Sequence, residues 1–527
     1  MECKFGLRSP ARAEIATVLF FDAVNRKSVK RFFFSLLQNN SSNLDMCPDS
    51  KCGMERSISR RSLLRILAGV AATPYASRRA RAGPHVAASV AVGYDEPGRI
   101  ISENFIGLSY ESAVLASPDY LSPRNLSVMG LFRGLGPAAV LRLGGNTSES
   151  TAWRDTNNAS VAQTFVITPA AIDALAGLVN ALDWGLIYGL NLARGTPEAA
   201  AEEAAYVARA AGPRLLAFQI GNEPDGFGRW SGVRPQGYDF DAFLAEWRKF
   251  SMTIRARLPT VRFAGPDIIA ESSWIRPFIQ AAGYDLILMT RHYYADGPAG
   301  APHISLARLL SSAPQAKTML EEMRSISESS RLPFRITETN SIFNEGQPGV
   351  SDAFGSALWG IEFMFQVAEA GGEGIDFHTG DAKAYTPLGP GPNGRHLARP
   401  LYYGLLMFKE AVRGASMLPA RLVDPDLNMT AYATRAADDK LKVCLINKDF
   451  ERGARVAIKA GRHFRFASLL QLTAPSMEAR TSVTFGGSAV DEFGHWSPAP
   501  PKVFPWRSDA FVEVPPASAV MLQLSRH

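Results

Sequence analysis

Short apolar runs separated by helical patterns fill the chain between about residues 104 and 412. The runs fall near residues 105–109, 139–143, 186–192, 215–220, 261–265, 286–292, 334–337 and 374–378. Each is apolar over nearly its whole length and often closed by Gly or a polar residue, as strands buried on both faces of a parallel sheet are. The intervening segments read as helices. Ile172, Leu175, Leu178, Val179 and Leu182 recur at amphipathic spacing, and an Ala-rich stretch spans 197–211. Strand–helix alternation repeated eight times predicts an α/β fold, a (β/α)8 TIM barrel over residues 100–412. A doubly wound open sheet is the alternative, and the lack of G-x-G-x-x-G after the first strand counts against its dinucleotide-binding form. After Gly414 the period shortens to two in 429–436, 441–449, 454–461 and 517–525. That change predicts an additional antiparallel β-sandwich domain, built from 413–527 together with the strand-like 84–99.

The amino-terminal region follows a different logic. Ser59-Arg60-Arg61-Ser62-Leu63-Leu64-Arg65 has twin-arginine order, a moderately apolar run Ile66–Ala76 follows, and Ala80-Arg81-Ala82 offers a cleavage site. This predicts a Tat-type signal peptide over 54–82 of an exported bacterial protein, periplasmic or extracellular, with 1–53 an upstream extension outside the fold. Charge then changes meaning. Residues 1–82 hold 15 Lys and Arg against 6 Asp and Glu, so the overall +6 becomes about −3 for the rest of the chain. The basic balance belongs to the leader, and no nucleic-acid partner is expected. No apolar run of about 18 residues suggests membrane insertion. Three of the four cysteines, Cys3, Cys47 and Cys52, also precede the cleavage site, leaving Cys444 with no internal partner. Cys and His do not cluster at zinc-ligand spacing, so no metal is expected.

Barrel enzymes carry their chemistry at the carboxyl ends of the strands. Here those ends read Arg142-Leu143-Gly144-Gly145-Asn146 (strand two), Gly221-Asn222-Glu223-Pro224-Asp225 (four), Arg291-His292-Tyr293-Tyr294 (six), Thr337-Glu338-Thr339-Asn340-Ser341 (seven) and His378-Thr379 (eight). Carboxylates from strands four and seven face each other across the mouth. Glycoside hydrolysis needs such a pair, one group to protonate the leaving oxygen and one to attack or stabilise the anomeric carbon. Glu223 and Glu338 are therefore the candidate catalytic residues. Arg142 is placed to orient Glu338, and Asn146 shares its rim. His292 and His378 read equally as subsite residues or as hydrogen-bonded structural histidines, while Trp359, inside a helical run, reads as core.

The strings FQIGNEPD and RITETNS, with LRLGGN on strand two, resemble glycoside hydrolase family 79, the heparanase and β-glucuronidase family. The resemblance covers about residues 85–525. It implies a retaining, exo-acting β-glucuronidase-like enzyme that needs no cofactor, with Glu223 as acid/base and Glu338 as nucleophile. It further implies that Asn222 holds the substrate 2-hydroxyl, that Tyr294 bonds the nucleophile, and that Tyr385 meets the sugar carboxylate of a uronic-acid-containing glycan or glycoside. The loop past the nucleophile departs from that pattern. Phe343 stands where a hydroxyl is expected, and Glu345 adds negative charge that Lys383 would have to offset. A neutral-sugar β-glycosidase thus remains the alternative, ahead of a non-catalytic glycan-binding protein.

Overall fold

The computed structural model describes residues 85–154, 165–311, 314–423, 426–461 and 463–526. The expected upstream extension and signal peptide lie outside the described residues. Eight strands close into one parallel barrel, each beside its neighbour in sequence: β1 Ile106–Glu111, β2 Val140–Gly144, β3 Gly185–Leu190, β4 Leu215–Ile220, β5 Phe263–Ile268, β6 Leu286–Asp296, β7 Phe334–Ile342 and β8 Gly374–Thr379. All eight expected runs are strands. Their carboxyl ends extend further than the apolar character does in β1, β5, β6 and β7. An apolar run reports burial in the core, whereas pairing continues into the polar mouth.

The helices form where local signals start and stop them. Pro169–Leu182 begins on Thr168, whose side chain accepts the Ala171 N–H, and stops at left-handed Asp183. It buries Ile172, Leu175, Leu178, Val179 and Leu182, the stripe expected from the spacing. The Ala-rich stretch is helix Pro197–Ala211, capped in the same manner by Thr196. Trp359 is core, stacked on Phe363 within helix Phe354–Glu369.

At the amino-terminal end the barrel is plugged by an apolar layer of Val140, Ile187, Ala217, Ala264 and Leu288. Beside it sits a buried ion pair. Arg335 Nε lies 3.0 and 2.9 Å from the two Asp376 oxygens, and its Nη2 lies 2.6 Å from Oδ1. Gly107 makes room for this pair, since a Cβ there would fall 1.7 Å from Asp376 Oδ1.

The second region is a sandwich. A large sheet orders Arg99–Ile100, Ala415–Leu418, Met429–Ala436, Leu441–Asn447, Ser518–Ser525, Phe466–Thr473 and Thr484–Phe485. A four-stranded sheet orders Ala420–Val423, His85–Val92, Gly453–Lys459 and Phe511–Val514. Period-two alternation sorts the large sheet's residues between two cores. Leu441, Val443 and Leu445 face the smaller sheet, while Cys444 and Ile446 join the barrel's core. Phe365 of the barrel stacks on Tyr432 at 4.6 Å. One pairing departs from the antiparallel expectation: His85–Val92 runs parallel to Gly453–Lys459. The two strands come from opposite ends of the fold, so no hairpin dictates their direction.

The buried pair at the barrel floor has a measurable consequence. Asp376→Ala leaves the Arg335 guanidinium buried and unpaired, and should lower unfolding free energy by about 3–5 kcal/mol. Urea denaturation followed by circular dichroism measures this, and a loss below about 1 kcal/mol would contradict it.

Candidate active site

One guanidinium organises the mouth of the barrel. Arg142 projects from β2 and is fully buried. Its Nη1 donates to Glu338 Oε2 at 2.7 Å and to Ser109 Oγ at 3.1 Å. Nη2 donates to Asp267 Oδ2 at 2.6 Å and to Asn222 Oδ1 at 2.8 Å, and Nε donates to Gln219 Oε1 at 3.0 Å. The second carboxylate is reached through His292, whose Nδ1 lies 2.8 Å from Glu223 Oε1 and whose Nε2 lies 3.1 Å from Asp267 Oδ2. Tyr294 donates its hydroxyl to Glu338 Oε1 at 2.9 Å. An oxygen of Glu223 comes within 4.8 Å of one of Glu338.

Backbone irregularities aim these side chains. Across β5 and β6, Thr290 pairs with Pro266 and Arg291 with Ile268, so Asp267 is the extra residue of a bulge. Across β6 and β7, Arg291 pairs with Ile336 and His292 with Glu338, so Thr337 is extra. The two displaced residues meet, Thr337 Oγ1 donating to Asp267 Oδ1 at 2.6 Å. Asp267 and Glu223 both have left-handed backbones, with φ of 62° and 49°. The Glu223 N–H donates to the Asp267 carbonyl at 2.9 Å, locking these two uncommon conformations together. Behind them Glu149 accepts the N–H groups of Asn222 and Ala193, both at 2.6 Å.

The two glutamates sit in opposite electrostatic settings. Burial works to raise the Glu338 pKa, but the charges of His378, His292 and Arg142 outweigh it and bring Glu338 down to about 2. Burial also raises Glu223, and there it prevails over the opposing His292, aided by the negative charges of Glu338 and Asp225. Burial disfavours charge on His292 as well, yet the carboxylates of Asp267 and Glu338 push it up to about 10. At neutral pH Glu338 is ionised, His292 is charged, and Glu223 retains its proton more readily than an ordinary glutamate. An ionised carboxylate and a carboxyl group with a raised pKa are thereby set side by side. Glu223, His292 and Glu338 are also the one group among the described residues with metal-ligand spacing. Both His292 nitrogens already serve Glu223 and Asp267.

The remaining candidates line one cleft of about 990 Å³ with Asn222, Glu223, Tyr294 and Glu338. Asn146 Oδ1 lies 3.4 Å from Asn222 Nδ2. Tyr385 is buried with its ring 6.1 Å from that of Tyr294. Lys383 Nζ lies 2.7 Å from His378 Nε2 and 3.3 Å from Glu111 Oε1. Phe343 and Glu345 are exposed at the rim, Phe343 meeting the Tyr294 ring edge-on at 6.4 Å. Sequence reasoning missed Asp267 and Glu111. It stopped β5 at Gly265 and β1 at Ser109, where hydrophobicity ends. Extending both strands to the next acidic residue would have found each.

No family model matches the chain. A β-glucuronidase from Aspergillus niger is 25% identical over 440 residues, 73% of this chain and 80% of that protein. A β-glucuronidase from Neurospora crassa is 23% identical, over 58% of this chain and 63% of that protein. Among solved structures, a 4-O-α-L-rhamnosyl-β-D-glucuronidase from Fusarium oxysporum shares the fold with a TM-score of 0.69 and 18% identity, over 83% of this chain and 100% of that one. Barrel, paired carboxylates and relatives together define a glycoside hydrolase. The resemblance to glycoside hydrolase family 79, first carried by the strand-end motifs, is borne out by these relatives.

The network predicts a pH response. A site acting with Glu338 ionised and Glu223 protonated is expected to lose kcat/KM at high pH as Glu223 loses its proton. Tyr294→Phe removes a donor to ionised Glu338, raises its pKa and moves the acidic limb toward neutral pH. A charge-assisted bond of about 1.5–3 kcal/mol implies a loss of about 10- to 100-fold at the optimum. Rate–pH profiles on an aryl glycoside test both effects, and an unmoved acidic limb would refute the role given to Tyr294.

Proposed function

We propose that this protein is a retaining β-glucuronidase working by double displacement through a glycosyl ester on Glu338. The observation carrying the reading is the pair of glutamates within 4.8 Å and in opposite electrostatic settings. Retaining enzymes hold their carboxyl groups about 5–5.5 Å apart, whereas inverting enzymes need about 6.5–9.5 Å for an intervening water. In the first half-reaction Glu338 attacks the anomeric carbon while Glu223 gives its proton to the departing oxygen. Glu223 then takes a proton from water, which displaces the sugar from Glu338. Asn222, with its carbonyl oxygen fixed by Arg142, offers its amide to the sugar 2-hydroxyl.

The uronate assignment draws support from relatives named β-glucuronidases and from the chemistry of the β8 side. Lys383 supplies a cation beside the Tyr385 ring, 5.8 Å from its centroid. Glu345 opposes it, but its exposure to solvent screens that field. A neutral-sugar preference is the second reading, favoured by the contact of Lys383 with Glu111. Consistent with the leader motif, we also place the mature protein outside the cytoplasm, beginning near Gly83; amino-terminal sequencing of secreted material tests this.

Aryl β-glucuronide and aryl β-glucoside, followed by NMR for the anomer first released, test the main reading. Glucuronide should be preferred and the β-anomer should appear first. Glu338→Ala should abolish turnover. Glu223→Ala should slow it severely and be rescued by azide, which attacks the trapped ester. Lys383→Met should cut kcat/KM for the glucuronide about 10- to 100-fold and leave the glucoside nearly unchanged. An α-anomer as first product, or a glucoside preference in wild type, would overturn the corresponding part.

A further inference from the structure

The mechanism assigns Asn222, Glu223 and the β6–β8 and β1 side of the cleft, and leaves the loops beyond Glu223 and beyond β5 without a role. These loops form a wall with its own character. The loop after β4 brings Phe227, Trp230 and Val233 to the cleft, and the loop after β5 brings Ile269 and Ala270. Trp230 is 55% exposed, yet it is held firmly. The N–H groups of Arg229, Trp230 and Ser231 all donate to the Gly226 carbonyl, at 3.0, 3.2 and 3.2 Å. The indole packs so closely on Gly226 that a Cβ there would lie 2.4 Å from Trp230 Cε2. Ile269 and Ala270 are held by Asp225, whose carboxylate accepts the N–H groups of Ile269, Ala270 and Glu271 at 3.3, 2.7 and 2.9 Å. The first loop follows directly on Glu223 and the second is tied to it through Asp225, so a group departing with the Glu223 proton lies against both.

Several polar atoms along this wall are already engaged within the protein. Ser231 Oγ bonds the carbonyls of Gly226 and Phe227. Glu149 uses its two oxygens on the N–H groups of Asn222 and Ala193. Arg194 Nη1 is bonded to the Glu149 carbonyl and to Ser150 Oγ. A sugar placed here would bury hydroxyls with few partners, at a cost. A flat apolar ring would cover the Trp230 face without burying hydroxyls of its own.

We propose that the β4–β5 wall is a subsite for a planar aromatic aglycone stacked on Trp230, so that the substrates are aryl glycosides rather than glycan chains. The proposal rests on the glycosidase reading for its position, with glucuronide as the sugar.

Trp230→Ala and Trp230→Phe, compared with wild type on three substrates, provide the test: a flavone 7-O-β-glucuronide, a glucuronyl disaccharide and β-glucuronyl fluoride, whose leaving group has no surface to stack. For Trp230→Ala we expect kcat/KM to fall about 10- to 50-fold on the flavone glucuronide and less than about 3-fold on the fluoride. Trp230→Phe should recover most of the loss. An equal loss on the fluoride would mean that Trp230 merely props the Glu223 turn, and would overturn the subsite. So would an equal loss on the disaccharide, which would mark a sugar platform, or no loss at all. If wild type cleaves glucosides and not glucuronides, the uronate reading fails instead, and the same comparison on flavone glucoside and glucosyl fluoride decides the subsite.

Discussion

A guanidinium sealed inside the barrel mouth is the interaction on which the site depends. Removing a charge from water costs several kcal/mol, and the cost is offset only when the geometry satisfies its donors. Arg142 meets that condition with Ser109 of β1, Gln219 of β4, Asn222 just beyond it, Asp267 of β5 and Glu338 of β7. The guanidinium is planar and rigid, so it fixes distances between these strands as well as charge. The bulges at Asp267 and Thr337 make sense in this light. A regular ladder would alternate those side chains between faces, and the displaced residues are the ones that meet beneath the two glutamates.

The contrast between the two glutamates follows from what each one touches. Glu338 accepts directly from Arg142 and Tyr294 and lies 3.6 Å from His378. Glu223 has His292 alone, and that imidazole is shared with Asp267. The shared cation cannot fully compensate both carboxyl groups, and burial raises the Glu223 pKa. Two identical side chains thus acquire opposite electrostatic settings because one pairs with the central charge and the other meets it at second hand.

Much of this was legible in the sequence. Parallel strands buried on both faces leave continuous apolar runs, so all eight could be counted, and the helix stripe from Ile172 to Leu182 could be read residue by residue. Glu223, Glu338, Arg142 and Asn222 stood out because they lie at the carboxyl ends of barrel strands, where barrel enzymes carry their chemistry. Asp267 and Glu111 did not, because strand pairing outlasts hydrophobicity at the mouth and a bulge leaves no mark in composition. The parallel pairing of His85–Val92 with Gly453–Lys459 was equally hidden. Alternation reveals that a segment is a strand but not which distant segment it lies beside, nor in which direction.

That pairing bears on how the molecule is assembled during synthesis. His85–Val92 leaves the ribosome before any barrel strand, yet both neighbours, Ala420–Val423 and Gly453–Lys459, follow the last one. The strand must wait, unpaired, while the entire barrel is made. Loop-closure entropy grows only with the logarithm of chain length, so the delay adds little to the equilibrium cost, but such long-range pairing is slow. Until it forms, both edges of His85–Val92 and one edge of each neighbour stay open to other chains. The kinetic risk therefore falls on the sandwich rather than on the barrel, because its small sheet joins the two ends of the fold.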